Sequence, residues 1–479
     1  MSDRLLSGHE PLDAVLGGGL PANAISLIMG LPGTGKTIIA QQYVFRNSSP
    51  ERPAVYFSTA SEPLEKIVRF GQKLNFFDRS AIGKSVFYED LGETINNDGL
   101  AGVTRRVTAV LKARHPQLIV IDSFKALAAF ADSHREFRKF LHEFAGKLSA
   151  FPASSLWVGE YQEDETGSLA EFAVADAILE LASESIGQRE IRFLTVRKLR
   201  GSSYRSGKHS YRLSSNGVHL FPRLADTRIE ATYELSDTRI SSGIPALDDL
   251  LAPGYWPGSS TLIVGPSGAG KTIMGLHFIF HGARRQEPGV IASLQENTTQ
   301  LRRMAASFGW SVDEPQVEIM YRSPVDIYID EWVYELTETV QRTGARRVVI
   351  DSLADLRMAA LEETRFHEFV YSLTQRFSRQ GVSLLMTFET PDLFRAERIS
   401  DSPISYLSDN VVLLKYVNDH DLIKRAMSVI KSRAGRHQPG IRQFLIGRDG
   451  IVLADSHPSE GSSDIDPPSL LGSQGGADN

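Results

Sequence analysis

Two short stretches carry the chemistry that is legible in this chain. One is Gly30-Leu31-Pro32-Gly33-Thr34-Gly35-Lys36-Thr37, and the other is Gly265-Pro266-Ser267-Gly268-Ala269-Gly270-Lys271-Thr272. Both fit G-x-x-x-x-G-K-[ST], the pattern of a phosphate-binding loop. Glycines at this spacing let backbone N–H groups curl around phosphates with no Cβ in the way. Lys36 and Lys271 would reach the β- and γ-phosphates, and the hydroxyls of Thr37 and Thr272 would ligate Mg2+. The helix expected after each loop would point its N-terminus at the anion. Each copy follows an apolar, strand-like run, Ile25 to Met29 and Thr261 to Val264. One match alone could be a glycine-rich turn; two in the same context make that reading negligible.

A second feature recurs downstream of each loop. Leu118-Ile119-Val120-Ile121-Asp122-Ser123 and Val348-Val349-Ile350-Asp351-Ser352 are apolar runs that end in aspartate. Such runs suit central parallel strands covered on both faces. Asp122 and Asp351 at their C-terminal ends would hold Mg2+, directly or through water. The alternative is a helix N-cap, which Asp-Ser also provides. The recurrence after each phosphate loop favours the metal.

The elements that must position these residues are themselves repeated. Residues 4–13 read RLLSGHEPLD and residues 239–248 read RISSGIPALD. Gly8 and Lys36 recur at one constant offset as Gly243 and Lys271. Within each half, apolar runs alternate with helical stripes such as Phe137, Phe140, Leu141, Phe144 and Phe366, Phe369, Val370, Leu373. The alternation predicts the α/β class, with two tandem domains, each a mostly parallel sheet flanked by helices. Ligand should sit at the C-terminal ends of the strands. The expected boundaries are 1–221 for the first domain, 222–238 for a polar connector and 239–455 for the second. An acidic tail over 456–479 is too polar to bury a core and is expected to be disordered.

Composition narrows the classes. The chain has 479 residues, 42% apolar and 23% charged, with a formal net charge of −6 and no cysteine. Disulfides, thiolate metal sites and cysteine nucleophiles are therefore excluded. The charge gives no argument for a nucleic-acid partner. No signal-peptide pattern or membrane-length apolar run is evident, so a cytoplasmic location is expected.

The leader SGIPALD, the paired loops, the two IDS strands and a K-x-R segment in each half together resemble the KaiC family. This is a group of double-domain ATPases in the RecA superfamily, and the likeness covers residues 4–455. The resemblance implies RecA-like P-loop NTPase domains that bind ATP and Mg2+. It also implies a homohexamer with nucleotide between subunits, Ser/Thr autokinase activity in the second domain and a signalling-protein partner. Lys198 and Arg200, and Lys431 and Arg433, match the segments that reach the neighbouring subunit's nucleotide in this family. Cations there would stabilise charge developing at the γ-phosphate. Read without the resemblance, the same residues are a solvated basic hairpin or a nucleic-acid surface.

The chain departs from the family at the catalytic positions. The family carries two adjacent glutamates after the second strand, the first acting as general base. Here the second half has Gln295-Glu296, and the first has Ala60-Ser61 with Glu62 one step on. Glutamine can orient a nucleophile but cannot take its proton. Neighbouring residues at a strand end point to opposite faces, so Glu296 or Glu62 cannot simply replace the base without a local shift. The first domain is therefore expected to bind ATP mainly as a structural ligand. In the second, Gln295, Glu296 and Lys271 are the catalytic candidates, with Lys36 their counterpart in the first. Ser405 falls on the family's phosphoacceptor serine and Ser400 on a nearby hydroxyl. Two alternatives stand beside this reading: a nucleotide-locked scaffold with decayed catalytic positions, and a RecA-like DNA-dependent ATPase.

Overall fold

The computed structural model describes residues 4–59, 64–161, 170–186, 189–224, 238–325, 327–360, 362–390, 407–419, 422–433, 437–438 and 440–453. The expected tail and residues 225–237 of the expected connector lie outside this set.

A small antiparallel pair, β1 (Arg4–Leu5) and β2 (Leu20–Pro21), opens the chain. The first sheet is built from β3 (Ile25–Gly30), β4 (Ala54–Ser58), β5 (Val86–Asp90), β6 (Leu118–Asp122), β7 (Ser154–Gly159), β8 (Ala177–Ile186), β9 (Arg189–Leu199), β10 (Lys208–Ser214) and β11 (Gly217–Phe221). Their order is β11-β10-β9-β8-β3-β7-β6-β4-β5. The second sheet uses β12 (Ser260–Gly265), β13 (Gly289–Ser293), β14 (Val317–Tyr321), β15 (Arg347–Asp351), β16 (Ser383–Glu389), β17 (Asn410–Asp419), β18 (Leu422–Ser432), β19 (Arg442–Gly447) and β20 (Gly450–Leu453). Its order, β14-β13-β15-β16-β12-β17-β18-β19-β20, repeats the first. In each sheet the strands from the phosphate-loop strand outward are parallel, and the two hairpins at the other edge are antiparallel.

The continuous apolar runs become strands because both sheet faces are covered. Every residue of β3, β4, β12 and β13 is buried, as parallel strands between two helical layers must be. The helix His134–Ser149 buries the stripe Phe137, Phe140, Leu141 and Phe144, and Ser133 caps it by accepting from the Glu136 N–H at 3.2 Å. The helix Glu363–Arg379 buries Phe366, Phe369, Val370 and Leu373 in the same way. Each sheet therefore separates two hydrophobic cores. Contacts between the domains include Arg189 donating to Pro324 O at 3.0 Å, Tyr328 to Glu190 O at 3.0 Å, Arg223 paired with Glu368 at 2.8 Å, and the Phe221 ring against Tyr334.

Sequence patterning gives no hint of one structural device. His277 is buried against Trp310, and its Nε2 accepts the Ile451 N–H at 2.9 Å, tying the last strand to the phosphate-loop helix. Burial pushes its pKa down to about 4. The unfolded chain would protonate near 6.5, so between pH 6.5 and 4 the unfolded state binds the extra proton. The stabilisation is thus complete above pH 6.5 and is lost as pH falls toward 4. Urea denaturation followed by tryptophan fluorescence should show roughly 1–2 kcal/mol of this loss by pH 5, and His277→Gln should reduce the slope.

Candidate functional site

Both phosphate-loop motifs lie where their spacing requires, between a central strand and a helix: β3 leads to Lys36–Arg46, and β12 to Lys271–Arg284. Gly35 and Gly270, which precede the helices, sit at φ 89° and 102°, a region that L side chains rarely enter. At Gly30 a Cβ would fall 2.1 Å from the Leu181 carbonyl oxygen. Neither helix has a side-chain N-cap, so the first-turn N–H groups remain available to an anion. Hairpin tyrosines brace the loops: Tyr211 donates to Thr34 O at 2.5 Å and Tyr416 to Ser267 O at 3.2 Å.

The loop lysines fold back on their own loops. Lys36 donates to Leu31 O at 2.8 Å. Lys271 donates to Gly265 O at 3.0 Å and Pro266 O at 2.9 Å, and lies 3.5 Å from Glu389. Burial pulls the Lys36 pKa down, and the charges of Glu160 and Asp122 oppose it. Above the first loop lies a cavity of about 970 Å3, lined by Lys36, Thr37, Asp122, Glu160, Lys66 and Phe70 among others. Its size suits a nucleotide.

The threonine–aspartate pairs come together across each sheet. Thr37 donates to Asp122 Oδ2 at 2.8 Å. Burial pushes the Asp351 carboxyl up, while the hydroxyls of Thr387 and Thr272 and the charge of Lys271 pull it down. The two aspartates are held from opposite sides. Tyr56 on β4 donates to Asp122 at 2.5 Å, whereas Thr387 on β16 donates to Asp351. Asp351 Oδ2 is buried and has no hydrogen-bond partner among the described residues. A buried carboxylate oxygen left free beside a threonine hydroxyl and a phosphate loop fits Mg2+, which takes few protein oxygens and shares the rest with phosphate and water. Among the described residues no cluster of three or more His, Asp or Glu side chains offers another metal site.

The local shift that Glu296 would need is present after β13. β13 ends at Ser293, whose hydroxyl donates to Glu296 O at 2.8 Å, closing a turn. Strand alternation no longer applies beyond that point. Gln295 Nε2 lies 3.4 Å from Ser352 Oγ. The Glu296 carboxyl is raised by burial and by Asp351 and Asp355, against Lys271. Its Oε2 is buried without a partner among the described residues. The first-domain counterparts Ala60, Ser61 and Glu62 lie outside the described residues, as do Ser400 and Ser405.

The K-x-R segments are not brought to their own chain's loops. Lys198 pairs with Ile178 and Lys431 with Val411, each beside the same β-bulge. Those levels correspond to Leu27 and Leu262, three residues short of Gly30 and Gly265, or roughly 10 Å along the strand. Lys198 Nζ donates to Phe172 O at 3.0 Å and Lys431 Nζ to Ser408 O at 2.7 Å. Arg200 N and Arg433 N donate to Asp176 O and Asp409 O, both at 2.9 Å.

Sequence reasoning missed Tyr56, Thr387, Glu160 and Glu389. The two glutamates had a signal: each follows an apolar strand run at its C-terminal end, where ligands of parallel sheets bind.

Fold and sites together define a double P-loop ATPase of the RecA-like α/β type. The family model for the KaiC ATPase matches residues 6–225 and again 240–457, and the chain belongs to that family. Among curated proteins it is similar to the circadian clock oscillator protein KaiC of Prochlorococcus marinus, at 28% identity over 95% of this chain and 92% of the relative. It is also similar to the proteins of that name from Picosynechococcus sp., at 26% over 93% and 89%, and Synechococcus elongatus, at 26% over 93% and 88%.

Gly35→Ala places a Cβ 2.7 Å from Leu213 Cδ2 at a positive φ. It should destabilise the first domain by about 1–2 kcal/mol and weaken its nucleotide binding by about 10-fold or more. Titration of a fluorescent ATP analogue into a Lys271→Ala background would measure this.

Proposed function

We propose that this KaiC-family ATPase binds ATP with Mg2+ at both loops and turns it over mainly in the second domain. The observation that carries this reading is Glu296, a carboxylate with a buried, unpartnered oxygen, held in the electrostatic field of Asp351 and Lys271. Glu296 accepts the proton of the attacking water, and Gln295 orients that water without taking its proton. Lys271, freed from its carbonyl partners, follows the γ-phosphate. Thr272 and Asp351 would hold Mg2+, which would supply positive charge against the phosphates. In the first domain Thr37 and Asp122 would hold the cation and Lys36 the phosphates. With Ala60 at the base position, that nucleotide serves mainly to join neighbouring copies.

The assembly is a homohexamer in the cytoplasm, with nucleotide between subunits. Lys198, Arg200, Lys431 and Arg433 sit too far from their own loops to serve them, which supports a role at the neighbour's nucleotide. The second domain also phosphorylates its own chain, with Ser405 or Ser400 as acceptor, and the phosphorylation state is read by a signalling-protein partner. The scaffold reading draws on Gln295 and Ala60 but leaves Glu296 unexplained. The DNA-dependent ATPase reading has the net charge of −6 against it.

Steady-state turnover tests the division of labour. Lys271→Ala should remove most ATPase activity, and Lys36→Ala should mainly reduce ATP-dependent assembly. Loss of most turnover in Lys36→Ala alone would refute the assignment. Phosphopeptide mass spectrometry after incubation with ATP should find phosphate on Ser405 or Ser400; none on either would remove the kinase.

A further inference from the structure

Glu160 follows β7 directly, is exposed, and lines the cavity above the first phosphate loop with Lys36, Thr37 and Asp122. Of the two carboxylates that act on Lys36, Glu160 is the stronger. The repeat shows that this placement is built in. β3 and β7 pair Met29 with Gly159, so their next step sets Gly30 against Glu160. β12 and β16 pair Gly265 with Glu389. Glu389 shows how close a carboxylate at this register comes to a loop lysine, at 3.5 Å. The sequence gives the first domain Ala60-Ser61 where the second has Gln295-Glu296, and alanine has no acceptor at all. Asp122 is already engaged by Thr37 and Tyr56. Among the described residues lining the cavity, Glu160 is the remaining carboxylate.

We infer that Glu160 is the proton acceptor for a slow ATP hydrolysis in the first domain, replacing the base lost at position 60. This rests on the reading above that the first loop binds ATP. The oxygen of a water forms a bond to Pγ while the bond from Pγ to the β–γ bridging oxygen breaks. ADP leaves with the electron pair of that bond. The water's proton passes to the Glu160 carboxylate, which releases it to solvent. The first domain is therefore a slow catalytic site as well as a joint between copies, and its rate is set by a different carboxylate from the second.

The test uses the full chain carrying Lys271→Ala, with and without Glu160→Gln. Glutamine keeps the shape at an exposed position and removes the proton acceptor. Residual turnover should fall about 100-fold or more in kcat, with KM and ATP affinity unchanged within about 2-fold. Two results with ATP bound would overturn the inference: no turnover in the Lys271→Ala chain, or a kcat unchanged by Glu160→Gln. If neither variant binds ATP, the binding reading itself fails and the inference falls with it; equilibrium binding separates that case from the other two.

Discussion

Phosphate recognition in this chain depends on two helices that begin without a side-chain cap. Four N–H groups at a helix start have no partner within the helix, and an anion can satisfy them at the positive end of the macrodipole. Gly35 and Gly270 make this feasible by turning the chain into each helix through a left-handed conformation. The rest of the fold serves that turn. Fully buried strands fix where it starts, hairpin tyrosines hold its carbonyls, and an aspartate on a nearby strand waits beside the threonine.

Duplication kept this frame and changed the groups around it. Strand order, register and the bulge beside the K-x-R segments repeat almost unchanged. The partner of the aspartate at the strand end moved from one flanking strand to the other, from Tyr56 to Thr387. The second domain has a glutamate with one buried carboxylate oxygen at the turn after β13, whereas the first carries alanine and serine at the equivalent sequence positions. Backbone geometry is constrained by the phosphate and by packing on both sheet faces. Residues in the turn after the second strand of each sheet carry no such packing constraint, so the two domains could diverge there without losing the frame.

Much of this was legible in the sequence, for reasons that differ by residue. The phosphate loops and the IDS strands are local patterns, and local spacing specifies them. The sheet followed from uninterrupted apolar runs, since only doubly covered strands need them. The local shift at Glu296 was not legible, because alternation holds only while the strand lasts and Ser293 closes the turn after it with a side-chain bond that no periodicity encodes. Tyr56 and Thr387 were missed because each acts across neighbouring strands, and pairing between distant segments is set by topology. Arg347 shows the same limit: it is 1% exposed at the start of a core strand, where sequence reasoning places no charge, and it is held there by Glu287 and two carbonyls.

The central claim is that both loops are working nucleotide sites on one chain. Equilibrium dialysis of purified protein against labelled ATP with Mg2+, corrected for turnover, counts them directly. Two nucleotides bound per chain at saturation is the predicted result. One per chain, or none, would contradict the account.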